Sequence, residues 1–382
     1  MAWVRHRNRA NRPAVRLPTA VRLIEPLGLL HGMVAAEAVA AGLALPLAGG
    51  PGGFTLARLI DPDAPPRLVA APDIPAGWDD VRGRITAAPP AWAGLPTTRP
   101  AIMGILNVTP DSFSDGGKFA DPATAIAAGQ AMLAAGADIL DIGGESTRPD
   151  AAPVPAPVEQ ARILDVIRAL ASSGRLISAD TRNAATMAAA LDAGASIIND
   201  VSGLLYDSAA ARVVAERHCP VILMHMRGTP ATMRSLALYN DPAVDILAEL
   251  AARVTAARAA GIREDNIAVD PGIGFAKNTS QNRELLYRMA LLTNLGCRIV
   301  LGVSRKSMIG DLGQQPDPTR RLPGSLAAGL FGLAQGATIL RTHDVAETAQ
   351  AVRVWQALQD GDLVNSATHG SNSAPIPATT DH

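Results

Sequence analysis

The chain reads as an α/β protein, a (β/α)8 barrel over residues 99 to 360 with a small α/β extension, residues 1 to 98, ahead of it. Three observations predict this. From residue 100, short apolar runs alternate with longer Ala/Leu-rich segments of helical period, the rhythm of repeated βα units. Eight such units span roughly 260 residues, close to the ~250 typical of a TIM barrel. Every apolar run ends in a polar residue, as strands do when their carboxyl ends build a site. An open doubly wound sheet is the structural rival, but Gly104 to Gly117 lacks the spacing of its Gly-rich phosphate turn.

In chain order, Arg5, Arg7, Arg9, Arg12 and Arg16 precede the first acidic residue, Glu25. This has the charge pattern of a transit peptide without the apolar core and cleavage site of a secretory signal, and it reads as a basic tail. Leu27 to Ala48 is long enough to suggest a membrane span, yet Glu37 at its centre, with Gly32, Gly42 and Pro46, points to a packed helix. Asp61 to Pro66 and Ala87 to Pro96 read as linkers. The barrel strands are then expected at Ile102–Leu106, Ile139–Ile142, Leu176–Ala179, Ser196–Ile198, Val221–Met224, Ile267–Val269, Ile299–Val303 and Thr338–Leu340. Helices follow them, from Pro122–Ala135 after the first to Ala346–Gln359 after the last. Residues 361 to 382, rich in Ser, Thr, Asn and Pro, read as a disordered tail.

Composition limits the function. Hydrophobic residues make up 48% and charged residues 18%, enough for a sizeable core and too little charge for a disordered chain. A net charge of −1 gives no bulk attraction to nucleic acid or to an anionic membrane, so small molecules are the expected partners. Cys219 and Cys297 open apolar runs without metal-ligand spacing, as reduced core thiols of a cytoplasmic protein do. Of the 34 basic residues only Lys118, Lys277 and Lys306 are lysines. A lysine kept in so Arg-biased a chain hints at a compact point charge on a flexible stem.

The strand ends carry the chemistry. They offer Asn107, Asp141, Asp180, Asn199 with Asp200, Met224 with His225, Asp270, the Ser304 to Ser307 run, and Arg341 with His343. Any one of these reads equally as a cap or loop group. Together, Arg148, Arg305, Lys306, Arg341 and His343 bring positive charge to one rim and call for an anion. Asp180, Asn199 and Asp270, near Lys306, suit the edge of an amino-substituted heterocycle, with Met224 and Phe275 for its face. There is no nucleophile elbow, HExxH or Cys/His cluster, and His225 reads as structural or orienting.

The segments GILNVTPDSFSDGG (104 to 117), DIGGESTRP (141 to 149), SADT (178 to 181), INDVSG (198 to 203), ILMHMRGTP (222 to 230), VDPGIGFAK (269 to 277), GVSRKS (302 to 307) and RTHDV (341 to 345) occur in this order. Together they resemble the dihydropteroate synthase family over about residues 99 to 360. The resemblance implies that 6-hydroxymethyl-7,8-dihydropterin diphosphate and 4-aminobenzoate are condensed to 7,8-dihydropteroate and diphosphate, with Mg2+, by a homodimer. It implies a pterin set of Asp180, Asn199, Met224, Asp270, Phe275, Gly302 and Lys306. Asn107, Arg341 and His343 are implied for diphosphate, Asn107 also for the metal, and Phe113, Thr147, Arg148, Pro149 and Ser307 for 4-aminobenzoate. Asp180, Lys306, Arg341 and His343 would carry catalysis. Two alternatives stand beside this reading, a methyltransferase on a related pterin-binding barrel and an inactive pterin-binding homologue. The first needs no diphosphate site, so Arg341-Thr342-His343 argues against it. The second should have lost some of the charged members, and all are here.

Overall fold

The structure is a computed structural model that describes residues 22–109, 122–146 and 151–359. The basic tail, the Ser/Thr-rich tail, and Phe113, Thr147, Arg148 and Pro149 lie outside these residues.

Eight parallel strands close into a barrel: β5 (Ala101–Asn107), β6 (Ile139–Gly143), β7 (Leu176–Asp180), β8 (Ile197–Asp200), β9 (Val221–Met224), β10 (Ile267–Asp270), β11 (Arg298–Gly302) and β12 (Ile339–Thr342), with β12 paired to β5. All eight expected strands are present, their ends shifted by a residue or two. Helices α3 (Pro122–Ala134), α4 (Ala156–Ala171), α5 (Ala184–Asp192), α6 (Ala210–Arg217), α7 (Pro242–Ala259), α8 (Thr279–Tyr287), α9 (Ser307–Leu312), α10 (Leu322–Ala334) and α11 (Val345–Ala357) surround them. The seventh unit thus carries two helices, α9 and α10, where the sequence suggests one. Side chains alternate along each strand, so one set packs outward on the helices, as Ile142 does with Ile163 and Ile167 of α4. The other set faces the barrel axis, apolar at the bottom (Met103, Ile139, Ile197, Ile222) and polar at the top.

The N-terminal unit is an antiparallel sheet with two helices. β3 (Gly52–Asp61) pairs with β1 (Leu23–Leu30) on one edge and with β2 (Leu45–Leu47) and β4 (Ala64–Ala70) on the other. The single helix expected over Leu27–Ala48 is instead the end of β1, a short α1 (Gly32–Ala40) and β2. Glycines at positive φ, Gly28, Gly32 and Gly42, divide that stretch, and β3 offers its front half a partner strand. The expected linker at Asp61–Pro66 is the tight turn of the β3–β4 hairpin.

The second expected linker has a different task. Trp92 is 1% exposed and, with Leu95, packs under the inward side chains at the bottom of the barrel. The Trp92 indole donates to the Asn266 carbonyl at 2.9 Å. Buried Arg298, at the start of β11, donates to the carbonyls of Pro90, Leu95 and Pro96 at 3.1 to 3.4 Å. The Pro/Gly composition reads as flexible because the contacts that order it come from residues some 200 positions away. α2 (Asp79–Thr86), Ile24, Phe54 and Trp78 form a second core that includes Ala290 of the barrel. Asn294 pairs with both backbone polar groups of Ile24, at 3.0 and 2.7 Å.

Candidate active site

Strand register decides which polar residues share the mouth. It pairs Ile105 with Asp141, Asp141 with Ser178, Asp180 with Asn199, Met224 with Asp270, and Gly302 with Arg341. In a barrel these partners face the same way, so five strands that place a polar group on an inward position put them in one chamber.

At its centre lies Arg341, whose Nε donates to Asp141 Oδ2 at 2.6 Å and whose Nη2 donates to Asp180 Oδ2 at 2.7 Å. Asn199 Nδ2 also donates to Asp141 Oδ2, at 3.0 Å. Burial, then the neighbouring Asp141 charge, pushes the Asp180 carboxyl up to about 8 against the pull of Arg341. Burial works against the Arg341 charge, but the two carboxylates more than restore it. Asp141 Oδ1 and Ser178 Oγ have no hydrogen-bond partner. Buried polar atoms of this kind are costly in a structural cluster and ordinary in one that meets a polar ligand.

Beside this centre, Asp270 accepts from Gly272 N at 2.7 Å through Oδ1, and burial raises its carboxyl above the ordinary range, opposed by Lys306. Lys306 Nζ donates to Ile273 O and lies 4.9 Å from the centroid of the half-buried Phe275 ring. Burial pulls its ammonium down to about 8 against the attraction of Asp270. A Cβ on Gly302 would sit 3.7 Å from that ammonium, an ordinary contact that places Gly302 against Lys306. Met224 is buried beside Met226 and Phe275. Asp180, Asn199, Met224, Asp270, Phe275, Gly302 and Lys306 are therefore brought together as the sequence reading requires.

The third group is looser. Asn107 ends β5, partly buried, and Ser307 is exposed at the start of α9. His343 Nδ1 lies 3.0 Å from Ser304 Oγ, and burial, then Arg341, lowers its imidazole to about 4, so it is neutral at pH 7.

Two sequence arguments need correction. The positive rim is not left uncompensated: Arg305 pairs with Asp344, Arg341 with two aspartates, and His343 carries no charge. The compensating carboxylates lie up to 200 residues away in sequence. Asp141, noted only as a strand end, turns out to hold Arg341 and Asn199. Its position on Ile139–Gly143, two residues above the inward Ile139, was the available signal. His225, read as structural or orienting, is bonded to Glu249 and Lys277.

Among the described residues no group of three His, Cys, Asp or Glu could cage a metal, and no helix is long and apolar enough to cross a membrane.

Comparison with known proteins follows the same outline. Residues 103–343 match the family described as pterin binding enzyme. The chain is 44% identical over 261 residues to the dihydropteroate synthase of Synechocystis, covering 68% of this chain and 90% of that protein. It is 45% identical over 286 residues to a probable bifunctional folylpolyglutamate synthase/dihydropteroate synthase of Haloferax volcanii, covering 75% of this chain but spanning only 34% of that longer protein. The dihydropteroate synthase of Xanthomonas albilineans with 4-aminobenzoic acid superposes with a TM-score of 0.67 at 43% identity, covering 71% of this chain and 98% of that one. With its strand-end chamber and these relatives in agreement, the chain belongs to the dihydropteroate synthase family of pterin-binding enzymes.

Proposed function

We propose that this transferase of folate biosynthesis joins 6-hydroxymethyl-7,8-dihydropterin diphosphate to 4-aminobenzoate by loss of diphosphate and capture of a pterin methylene cation. The observation that carries this reading is Arg341 held between Asp141 and Asp180 at the floor of the chamber. One guanidinium there lies within reach of both a leaving anion and the carboxylates that favour the cation left behind.

In this reading the pterin edge is read by Asp180, Asn199, Asp270 and Lys306, whose acceptors and donors match an amino-oxo ring. Met224 and Phe275 pack on its faces. Asp270 has one oxygen engaged by Gly272, leaving the other for a ring N–H. Arg341, with neutral His343 as a hydrogen-bond donor, takes the diphosphate, and Asn107 meets it from β5. 4-Aminobenzoate lies among Phe113, Thr147, Arg148, Pro149 and Ser307, and its neutral amine attacks without a strong base.

Mg2+ fits this donor set. Asn107 offers a hard amide oxygen beside the phosphate position, and Mg2+ is held by one or two protein oxygens, water and substrate phosphates rather than by a protein cage. Bound there it would neutralise charge on the departing diphosphate. We assign the protein to the cytoplasm, in keeping with its two buried free thiols. We also infer that it works as a homodimer, as the family resemblance implies.

The test is to incubate the full-length protein with the dihydropterin diphosphate, 4-aminobenzoate and Mg2+, and to follow dihydropteroate and diphosphate together. Equal amounts of both, absent without aminobenzoate, are expected. Pterin binding with neither product, where a control synthase turns over, would leave a binding protein only.

A further inference from the structure

Lys277 has no part in the reaction just described, yet it is one of only three lysines in this Arg-rich chain and is 9% exposed. Its Nζ lies 2.9 Å from Gly272 O, 2.8 Å from Phe275 O and 3.0 Å from His225 Nδ1. The far side of the imidazole fixes who donates. His225 Nε2 is 3.0 Å from Glu249 Oε2, a carboxylate that also accepts from Arg227, so Nε2 carries the proton and Nδ1 accepts. All three ammonium N–H groups are then spent, two of them on carbonyls of one turn.

We propose that Lys277 is a positioning residue for the pterin half of the site, shaping the 272–277 turn so that Phe275 and Lys306 are presented to the ring. The inference rests on the pterin reading above. Gly272 and Gly274, at φ +65 and +86, let the turn send the carbonyls of Gly272 and Phe275 to Lys277, while the intervening Ile273 carbonyl accepts from Lys306. The same turn is thus stapled by one lysine from behind and ties down the other at the mouth.

A guanidinium does not replace this ammonium. It is planar, and its five donors cannot converge on three acceptors around one atom. The space is closed as well: a Cβ on Gly272 would lie 3.4 Å from Nζ and 2.0 Å from His225 O. Loss of the ammonium takes its donor from the Phe275 carbonyl and from His225 Nδ1 and leaves Gly272 O with only its bond from Phe275 N at 3.0 Å, which favours rotation of the turn. Asn282 anchors the same turn independently, bonding Gly274 N at 2.8 Å and the Lys277 carbonyl at 3.2 Å, so the chain has a second tie when the ammonium is removed. Ser307 and Asn107 are not on this turn, which makes the expected effect selective for the pterin.

The experiment measures binding of the dihydropterin diphosphate alone by calorimetry, and both KM values by steady-state kinetics, for the full-length protein, Lys277→Met and Lys277→Arg. Lys277→Met is expected to raise the pterin Kd and KM about tenfold, equivalent to ~1.4 kcal/mol. Lys277→Arg should give no rescue, and the KM for 4-aminobenzoate should stay within about twofold, because the proposed reading assigns none of that substrate's residues to the turn. A merely structural lysine would lower the melting temperature and leave the Kd of the folded protein unchanged. If both variants fail to fold, Glu249→Gln loosens the same relay from its half-exposed end and should weaken pterin binding about threefold, with aminobenzoate unaffected. A wild-type protein that does not bind the pterin overturns the pterin reading itself. A wild-type protein that binds, with folded variants binding equally well, overturns the role of Lys277 alone.

Discussion

Two buried clusters of arginine and carboxylate hold this molecule together at different places, and only one of them lies in the candidate site. At the junction of the N-terminal unit and the barrel, Glu25 of β1 is 1% exposed, yet both its oxygens are taken, by Arg288 at 2.6 and 3.1 Å and by Arg58 at 2.6 Å. Arg288 also reaches Asp241. In the barrel mouth, Arg341 serves two carboxylates at once, Asp141 keeps an unpartnered oxygen, and Asp180 is pushed toward its protonated form. The first cluster is saturated and closed. The second is short of positive charge and of donors, which is the condition of a group that meets something else. Burial and salt-bridge length do not separate structure from function here; completeness of pairing does.

The largest expected effect tests the open cluster. Arg341→Ala leaves Asp141 and Asp180 facing each other and removes the cation near the leaving group, so kcat/KM should fall about a thousandfold, ~4 kcal/mol. Steady-state kinetics check this, and a loss below tenfold would show that Arg341 only balances charge. The closed cluster should answer in the opposite way. Glu25→Ala leaves Arg288 with Asp241 alone of its two strong partners and turns half-exposed Arg58 to solvent, and it should cost about 2 kcal/mol of stability in denaturant unfolding, the scale of lost hydrogen bonds to a charged group. Its kinetics at a temperature where it remains folded should match the parent. Lost activity with unchanged stability would mean that the junction reaches the site.

The same contrast explains what could be read from sequence. The barrel strands were legible because each is a short apolar run with its own local signal, and strand ends could be named one by one. The candidate site residues could be named as a group because each lies at a strand end, and the strand pairing then puts Asp180, Asn199, Asp270 and Arg341 on inward positions. What could not be read was who pairs with whom. Asp141 and Arg341 are 200 residues apart, and strand parity, which aims Asp141 inward, does not name its partner. Trp92 is the other case. In a Pro/Gly-rich stretch it reads as linker, but it seals the barrel floor through contacts with Asn266 and the surroundings of Arg298. A fragment beginning at Leu95 would discard that seal, so a cut at Ala87 is the one that separates the N-terminal sheet from the barrel.

A smaller effect sharpens the boundary of the open cluster. Lys306 neighbours Asp270 and Phe275 but leaves the Arg341 centre intact when removed. Lys306→Ala should therefore cost tenfold or somewhat more in kcat/KM, roughly 1.4 kcal/mol or above, expressed mainly in the KM for the pterin. Equal losses with respect to both substrates would place Lys306 in the chemical step instead.

The last test uses protons, and it couples the two properties that the clusters otherwise keep apart. Asp180 holds its proton up to about pH 8 in the folded chain, against an ordinary value of 3.8. Between those limits the folded state binds a proton that the unfolded chain has released, so this group's contribution to stability falls as pH rises from about 4 to about 8 and is level above. His343, lowered to about 4, and Lys306, lowered to about 8, act with the opposite sign, over pH 4 to 6.5 and 8 to 10.5 respectively. The informative quantity is thus the difference between the parent and Asp180→Asn. Thermal melts across pH 4 to 9 should show the variant gaining on the parent as pH rises. Catalysis runs the other way, because only the ionised carboxylate favours a pterin cation: parent kcat should climb toward pH 8 with an apparent pKa that belongs to the Asp141–Asp180–Arg341 group as a whole. A variant that keeps that climb, or shows no relative gain in stability, would mean that Asp180 is already ionised at neutral pH and that Arg341 compensates both carboxylates, which would make the open cluster a closed one.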